Sequence, residues 1–333
     1  MNQLKALVAP ISVNYEVTPS CDLFCEFCFV ESEQGLQHPP LKVPLRILDK
    51  LAEAEVFEVR LFGGEFFTYP HWREVMEYAF AKNFFLSFVS NGTHITPEVI
   101  EVMKACDINA GSISLHGPAE VHDKITGLKG SFETAVRGIT LCLQAGIQIS
   151  ILTTLTKVNR GTLDQLLDDL EKRGVRGFSY GVSRLAPYGR AREDWEENKL
   201  SFKDYLNLFE FLHQLNEKRQ IPAVLGDAFP ICLIPEKYHY LIQGCWVGTG
   251  FGHISWDGEV RGCTVAFGSY GNIFTTPLKE IWQGKRLTEF RQLGWMAQCC
   301  KVCKTFCGGG CHASCFSEEM HVPDEFLETR PCN

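Results

Sequence analysis

The sequence predicts an α/β fold on a parallel sheet, with a small cysteine-rich domain at its C-terminal end. Three observations predict it. Strand-like and helix-like segments alternate regularly from residue 11 to about 225, the repetition that builds a parallel sheet with right-handed crossovers. The residues that look chemical fall just after strand-like runs, where parallel α/β folds bind their ligands. Ten of the 15 cysteines lie from Cys232 onward, so the last third of the chain carries its own chemistry. The expected division is 1–225 for the α/β core and 226–333 for the cysteine-rich part.

Each element has a local reason. Residues 11–17 read as a strand that delivers a cysteine loop at its end, and 45–54 have helical periodicity. Residues 56–62 form the second strand, ending in Gly63-Gly64-Glu65. A helix over 71–81 and a strand over 84–89 follow, the strand ending in Ser90-Asn91-Gly92-Thr93. Thr96 is the expected N-cap of the next helix, with Pro97 at its first position. Residues 112–115 are the fourth strand, and Ser131 is expected to cap a helix running to about Gln144. Segments 147–155, 163–173 and 178–182 continue the alternation. Cys106 and Cys142 sit in helical patterns and read as buried small hydrophobes.

Composition bounds the function. With 333 residues, 45% hydrophobic and 22% charged, the chain can bury a sizeable core. A net charge of −8 gives no electrostatic case for nucleic acid. No apolar run approaches a membrane span, and the first residues do not read as a signal peptide, so a cytoplasmic location without membrane contact is expected. In that setting the cysteines read as metal ligands rather than disulfides.

Cys21, Cys25 and Cys28 stand in the run TPSCDLFCEFCFV, three and then two residues apart. Three thiolates on one short loop can hold three irons of a four-iron, four-sulfur cluster and leave the fourth open to a small molecule. Tetrahedral zinc would want a fourth ligand nearby, and His38, the nearest histidine, fits no common spacing.

The CxxxCxxC spacing, with Phe27 before the last cysteine, resembles the signature of the radical S-adenosylmethionine (radical SAM) enzymes. The resemblance implies a partial, open (β/α)6 TIM-like barrel and S-adenosyl-L-methionine as cofactor. It also implies a 4Fe-4S cluster on Cys21, Cys25 and Cys28, and an external electron donor. Gly63-Gly64-Glu65 followed by Pro70 looks like the family's GGE loop, which meets the amino group of the cofactor. Ser90-Asn91-Gly92-Thr93 resembles the turn after the third strand. The stretch 112–117 with His122-Asp123 and Gly130-Ser131-Phe132 is similar to that of peptide-modifying members. This chain departs from the pattern with His116 where an aspartate is common and Thr126 where an arginine is common. Pro187-Tyr188-Gly189-Arg190-Ala191 resembles the loop after the sixth strand. The implied cofactor-binding residues are Phe27, Gly63, Gly64, Glu65, Ser90, Asn91, Ser114 and Arg190. No catalytic acid or base is identified, and Tyr180, Arg184 and Tyr188 read as structural.

Cys245, Gly258 and Cys263, then Cys300, Cys303, Cys307 and Cys311, then Cys332, resemble the SPASM extension of the same family. The run Gly308-Gly309-Gly310 matches its glycine-rich pair, while the gap between Cys303 and Cys307 is shorter than usual. The resemblance implies a first auxiliary 4Fe-4S cluster on Cys245, Cys263 and Cys311. Its fourth position is open or is filled by Cys232, Cys299 or Cys315. A second would be held by Cys300, Cys303, Cys307 and Cys332. Zinc is the rival for the CxxC pair.

The overall likeness is strongest to maturases of ribosomally made peptides. It implies hydrogen-atom abstraction from a precursor peptide, leading to splicing or excision, cross-linking or epimerisation, with the spliceases as the nearest specific match. A separate leader-peptide-binding protein is expected as partner, because few residues precede the first strand. The alternatives are a sulfatase-maturing-type or small-molecule radical enzyme, and a non-catalytic iron–sulfur electron carrier.

Overall fold

A computed structural model describes residues 7–265, 268–292, 296, 300, 307–314 and 324–329. Seven strands follow one another in parallel: β1 (Ser12–Glu16), β2 (Glu58–Phe62), β3 (Phe85–Ser90), β4 (Ala110–Ser114), β5 (Gln148–Thr154), β6 (Ser179–Ser183) and β7 (Ala223–Leu225). The chain then returns to the far edge. There β8 (Phe251–Ile254) pairs parallel with β1, and β9 (Glu259–Arg261) and β10 (Ser269–Asn272) extend it antiparallel. All ten strands form one sheet, and the expected boundary at 225/226 falls at the end of β7.

Alternation sets the two faces. Val13 and Tyr15 of β1, Val59 and Leu61 of β2, and Ile149 and Ile151 of β5 are buried in the main core. The residues between them, such as Asn14, Arg60 and Ser150, take the other face, as a two-residue repeat requires. Helix α1 (Lys42–Glu53) covers the apolar face with Pro44, Ile47, Leu48 and Leu51. Burying such a side chain stabilises by about 1.5–3 kcal/mol. Helices α2 (Trp72–Ala81), α3 (Pro97–Ala105), α4 (Ala119–Thr126), α5 (Ser131–Gln144) and α6 (Leu163–Lys172) repeat the scheme. Cys106 and Cys142 are buried in this core as expected. Among the described residues no helix is long and apolar enough to cross a membrane.

The caps are informative. Thr96 accepts from Val99 N with Pro97 at the first helical position, as the sequence predicts. Ser131 is not the cap of α5, however. It is the first helical residue, and the Asp123 carboxylate takes the N–H groups of Gly130 and Phe132 and the Ser131 hydroxyl. A carboxylate at a helix N-terminus satisfies orphan donors and meets the positive end of the helix dipole. The short helix α4, which carries Asp123, has no counterpart among the sequence expectations.

A cavity of about 1030 Å³ opens at the N-terminal ends of β2 to β6, lined by Glu58, Arg60, Ser87, Ser112 and Ser150 among others. The cysteine loop lies at the opposite end of the strands.

Candidate active site

The loop after β1 carries Cys21, Cys25 and Cys28, and four other loops hold it. The GGE turn after β2 comes first. Gly64 N donates to Thr18 O (2.7 Å) and Glu65 N to Ser20 O (2.9 Å). A Cβ on Gly63 would lie 2.7 Å from Thr18 O, and one on Gly64 2.3 Å from Ser20 O. Both glycines are therefore required by the approach of two protein backbones. Glu65 is buried, and its carboxylate accepts from Phe67 N (3.1 Å), Ser90 Oγ (2.9 Å) and Asn91 N (2.7 Å). Burial pushes its carboxyl up to about 7 against the pull of the Asn91 and Phe67 N–H groups. Oε2 accepts only one of these bonds and keeps a lone pair for a further donor.

The turn after β3 is the second clamp. Asp22, inside the cysteine run, accepts from Asn91 Nδ2 and Thr93 Oγ1, each at 2.7 Å, and His94 Nε2 stands 3.3 Å away. Burial alone would raise the Asp22 carboxyl, but these three partners together hold it below its usual range. Asn91 Nδ2 also lies 3.8 Å from Cys21 Sγ, which accepts from Leu23 N at 3.4 Å.

The C-terminus of α4 is the third. Its last carbonyls have no intrahelical donors, and Thr126 O and Ile125 O accept from Phe24 N (2.9 Å) and Glu26 N (3.2 Å). Thr126 itself bonds back to His122 O and to Ser131 Oγ. Phe27 packs edge-on against His116 (4.9 Å between ring centroids), and His116 stacks on His122. His116 Nδ1 accepts from Thr154 N and His122 Nδ1 from His116 N, so both imidazoles carry their proton on Nε2. Burial holds His116 well below the ordinary histidine range and His122 down at about 4, so both are neutral. Asn159 Nδ2 ties His116 O to Thr154 O. Ser114 closes β4, half-buried.

The loop after β6 is the fourth. Arg190 Nε donates to Cys25 O (2.8 Å), its N–H to Cys28 O (3.1 Å), and its guanidinium lies 4.0 Å from the Phe24 ring centroid. Gly189 (φ +57°) makes this possible, since a Cβ there would lie 2.1 Å from Cys28 O. Arg190 is thus bound to the loop rather than solvated, and its buried Nη2 has no partner among the described residues. Tyr180, Tyr188 and Arg184 are buried within the protein.

The thiols suit metal ligation. Burial pushes Cys25 up to about 12, with Cys28 adding to the rise and Arg190 opposing it, and burial raises Cys21 further still. Such thiols ionise only when a cation takes the charge. A second set meets beyond β7. Cys245 and Cys263 pack against the small Val247–Phe290 apolar cluster. Burial pushes Cys245 up to about 11 and Cys263 up to about 12, and Cys311 is raised well above the ordinary range. Cys263 feels the charge of Cys245, and Cys311 that of Cys263. Cys300 and Cys307 are half-buried and Cys232 is exposed, whereas Cys299, Cys303, Cys315 and Cys332 lie outside the described residues. Among the described residues no three His, Cys, Asp or Glu side chains close around a single ion. A four-iron cluster binds its ligands on separate irons and so holds them farther apart.

Comparison with known proteins fits this geometry. Residues 15–170 match the family model described as the Radical SAM superfamily, and 245–307 match SPASM, an iron–sulfur cluster-binding domain. The mycofactocin maturase of Mycobacterium tuberculosis is 30% identical over 94% of this chain and 81% of its own. The chain belongs to the radical SAM superfamily. It is a radical SAM enzyme with a SPASM region, and S-adenosylmethionine and 4Fe-4S clusters are its cofactors. The electron-carrier alternative is thereby removed. An AdoMet-dependent heme synthase of Methanosarcina barkeri is 27% identical over 97% of this chain and 96% of its own. In fold the chain is similar to Streptococcus suis SuiB bound to S-adenosylmethionine (TM-score 0.74, 17% identity, 96% of this chain and 77% of that one). The sheet is the family's parallel partial barrel.

Asp22, His94 and Asn159 are site residues that no sequence motif specifies, while Thr93 and His122 stand in motifs without being named as binding residues. Of the three, Asp22 carried a signal: it is the first of the two acidic residues in the otherwise apolar spacers between the three cysteines.

Proposed function

We propose that this radical SAM enzyme is a maturase of a ribosomally made precursor peptide. The observation that carries the reading is the 30% identity to mycofactocin maturase over 94% of the chain. The likeness in fold to SuiB bound to its precursor peptide SuiA supports it (TM-score 0.72, 17% identity).

In this reading residues 1–225 are the radical core and 226–333 the auxiliary part. Cys21, Cys25 and Cys28 hold three irons of the first cluster. When bound, that cluster and S-adenosylmethionine supply a radical that removes a hydrogen atom from the substrate. The remaining steps of the reading belong to this chain's own residues. The free lone pair on Glu65 Oε2 receives the cofactor's ammonium. The buried Arg190 Nη2, without a partner among the described residues, offers a donor to an anion beside Cys25. Phe27, Ser114 and the neutral His116 line the approach from the polar face, and Ser90 and Asn91 fix Glu65 and the loop. Cys245, Cys263 and Cys311 hold one auxiliary cluster, and Cys300, Cys303, Cys307 and Cys332 a second.

A second reading has its own support. The heme synthase match runs the length of both chains, so a tetrapyrrole is the rival substrate. Anaerobic enzyme, S-adenosylmethionine and a one-electron donor are to be incubated with a precursor peptide encoded nearby, or with an iron tetrapyrrole. A peptide mass change with 5′-deoxyadenosine formation is expected, and its sign and size separate excision from cross-linking. Conversion of the tetrapyrrole alone would replace the reading. Repeating the peptide arm with and without a small protein encoded alongside tests the expected leader-binding partner.

A further inference from the structure

Two strands that are far apart in the sequence set a carboxylate and an imidazole side by side within the sheet. β1 and β8 pair in parallel, with Asn14 level with His253. Residues level with each other on neighbouring strands share a face. His253 therefore lies on the polar face with Asn14, and Glu16, two residues further along β1, does too. Glu16 ends β1 and is level with Phe62, which ends β2 directly before Gly63. The carboxylate thus stands at the cysteine-loop end of the strands, beside the turn that carries Glu65. The Phe62 ring packs on the imidazole, with 5.6 Å between centroids.

His253 is fully enclosed, whereas the Glu16 side chain is 4% exposed. His253 Nε2 lies 3.6 Å from Glu16 Oε2, just outside hydrogen-bond distance. Neither imidazole nitrogen has a hydrogen-bond partner among the described residues. Nor does Asn14 Oδ1, although the same amide donates through Nδ2 to Thr264 Oγ1 at 2.8 Å. Enclosed polar atoms are nearly always paired, and the exceptions mark strain, a bound water or chemistry. The other charges around the ring are Arg261, level with His253 on β9, Arg60, level with Asn14 on β2, and Asp257 in the turn between β8 and β9. Burial keeps His253 below the ordinary histidine range. Glu16 and, less strongly, Asp257 pull it back up, and Arg261 adds to the fall. A closure of roughly 0.7 Å brings the imidazole and the carboxylate into a hydrogen bond.

We propose that Glu16 and His253 are an acid–base pair of this enzyme: Glu16 accepts a proton from the bound substrate, and His253 behind it takes that proton over. For the source of the proton the proposal rests on the peptide reading in its cross-linking form. Joining a peptide carbon to a nitrogen, oxygen or sulfur atom X breaks one C–H and one X–H bond and forms one C–X bond. The C–H hydrogen leaves as an atom to the 5′-deoxyadenosyl radical, the X–H hydrogen as a proton to Glu16, and the remaining electron to an auxiliary 4Fe-4S cluster. The carboxylate takes the first role because it is the less enclosed of the two. His253 acts only through Glu16 and is a positioning residue.

The test uses the full chain in its anaerobic holo form with a precursor peptide encoded nearby, deuterated on carbon. Glu16→Gln, Glu16→Asp and His253→Gln are compared with the parent for deuterium carried into 5′-deoxyadenosine and for cross-linked peptide. Glu16→Gln is expected to lower the peptide product by about 100-fold or more while deuterium still reaches 5′-deoxyadenosine. Glu16→Asp should recover part of the product, and His253→Gln should shift the pH profile of product formation. A further readout needs no substrate. With nitrogen-15-labelled histidine, the signal lost in His253→Gln belongs to His253, and Glu16→Gln is expected to move it. An unmoved signal would overturn the pair, and so would a parental product yield in Glu16→Gln. Should Glu16→Gln fail to fold, Glu16→Asp at the parental yield, or a parental pH profile in His253→Gln, overturns the proposal. A peptide left unmodified by the parent would overturn the peptide reading and this source of the proton, whereas the nitrogen signal judges the pairing of Glu16 and His253 by itself.

Discussion

The Asp22 carboxylate and the Thr93 hydroxyl meet at 2.7 Å across 71 residues of sequence. Asn91 donates to the other oxygen of Asp22, so one side chain joins the cysteine loop to the end of β3. Asp22→Ala leaves two polar side chains without their shared acceptor, a loss of about 1–3 kcal/mol. The loop should loosen while the auxiliary region is untouched. Anaerobic preparations should lose iron from the first cluster only, read against the Cys21/Cys25/Cys28 triple variant. Full iron with normal S-adenosylmethionine cleavage would show that the clamp does not matter.

Gly189→Ala is expected to act at the same place from the other side. The new Cβ would collide with Cys28 O at 2.1 Å, and φ is +57°, where an L-residue is strained. Because the neighbour is backbone, relief requires moving the Arg190 loop, at a cost of about 1–3 kcal/mol. First-cluster iron should fall and the thermal midpoint drop. An unchanged midpoint would place the loop elsewhere in solution.

Much of this was legible in the residues. The order β1 to β6 followed from alternation, and the ends of those strands named the loops that surround Cys21, Cys25 and Cys28. What periodicity could not supply was pairing at a distance. Phe251–Ile254 is a four-residue strand whose partner, β1, lies near the start of the chain, so nothing local announced it. Helix α4 has eight residues with three buried positions, too few for a clear period. The misreading of Ser131 has the same root: a serine at a helix start is usually the cap, but Asp123, eight residues earlier, holds that role through α4. Asp22 is an ordinary loop aspartate until the fold brings the Thr93 hydroxyl and the Asn91 amide to it.

Glu65 has two tasks, and substitutions should separate them. Its carboxylate accepts from Ser90, Asn91 and Phe67. Glu65→Ala removes these acceptors and the proposed cofactor contact together. Glu65→Gln keeps one oxygen acceptor but turns a donor toward one of the former partners. The alanine variant should lose S-adenosylmethionine affinity by the equivalent of about 1.5–3 kcal/mol and also unfold earlier. The glutamine variant should stay closer to the parent in stability while still binding the cofactor weakly. Equal cofactor affinity in parent and glutamine variant, by calorimetry, would remove Glu65 from the cofactor site.

His122 predicts an acid-sensitive step. Burial, only partly offset by Asp123, takes it from 6.5 down to about 4. The folded-state value is depressed, so between these values the unfolded chain binds more protons. Stability is therefore full above about pH 6.5 and falls as the pH drops towards 4, by up to about 3 kcal/mol. In His122→Gln that share of the acid dependence should vanish, although the neutral-pH stability will be lower because His116 N loses its Nδ1 acceptor. Denaturant midpoints at pH 7 and pH 5 for both proteins check it. An equal drop in the two would refute the assignment.

The Arg184–Asp324 pair should be the most sensitive link between the barrel and the C-terminal region. Both side chains are almost wholly buried, at 2% and 0% exposure. Arg184 is also surrounded by the rings of Tyr205, Phe229 and Phe326 at 5.0–5.4 Å. Asp324 in turn holds Cys311 N, and a Cβ on Gly310 would sit 2.5 Å from its Oδ2. Removing Arg184 leaves the buried Asp324 charge uncompensated, at about 3–5 kcal/mol, whereas removing Asp324 leaves Arg184 only its contact with the less buried Glu325 at 3.1 Å, and removing both takes away the two fully buried charges together. Arg184→Met and Asp324→Asn alone should each lower the denaturant midpoint sharply. The double variant should recover much of the loss, a coupling that independent sites would not show. If the two single losses simply add, the pair does not couple the barrel to the Cys311 loop.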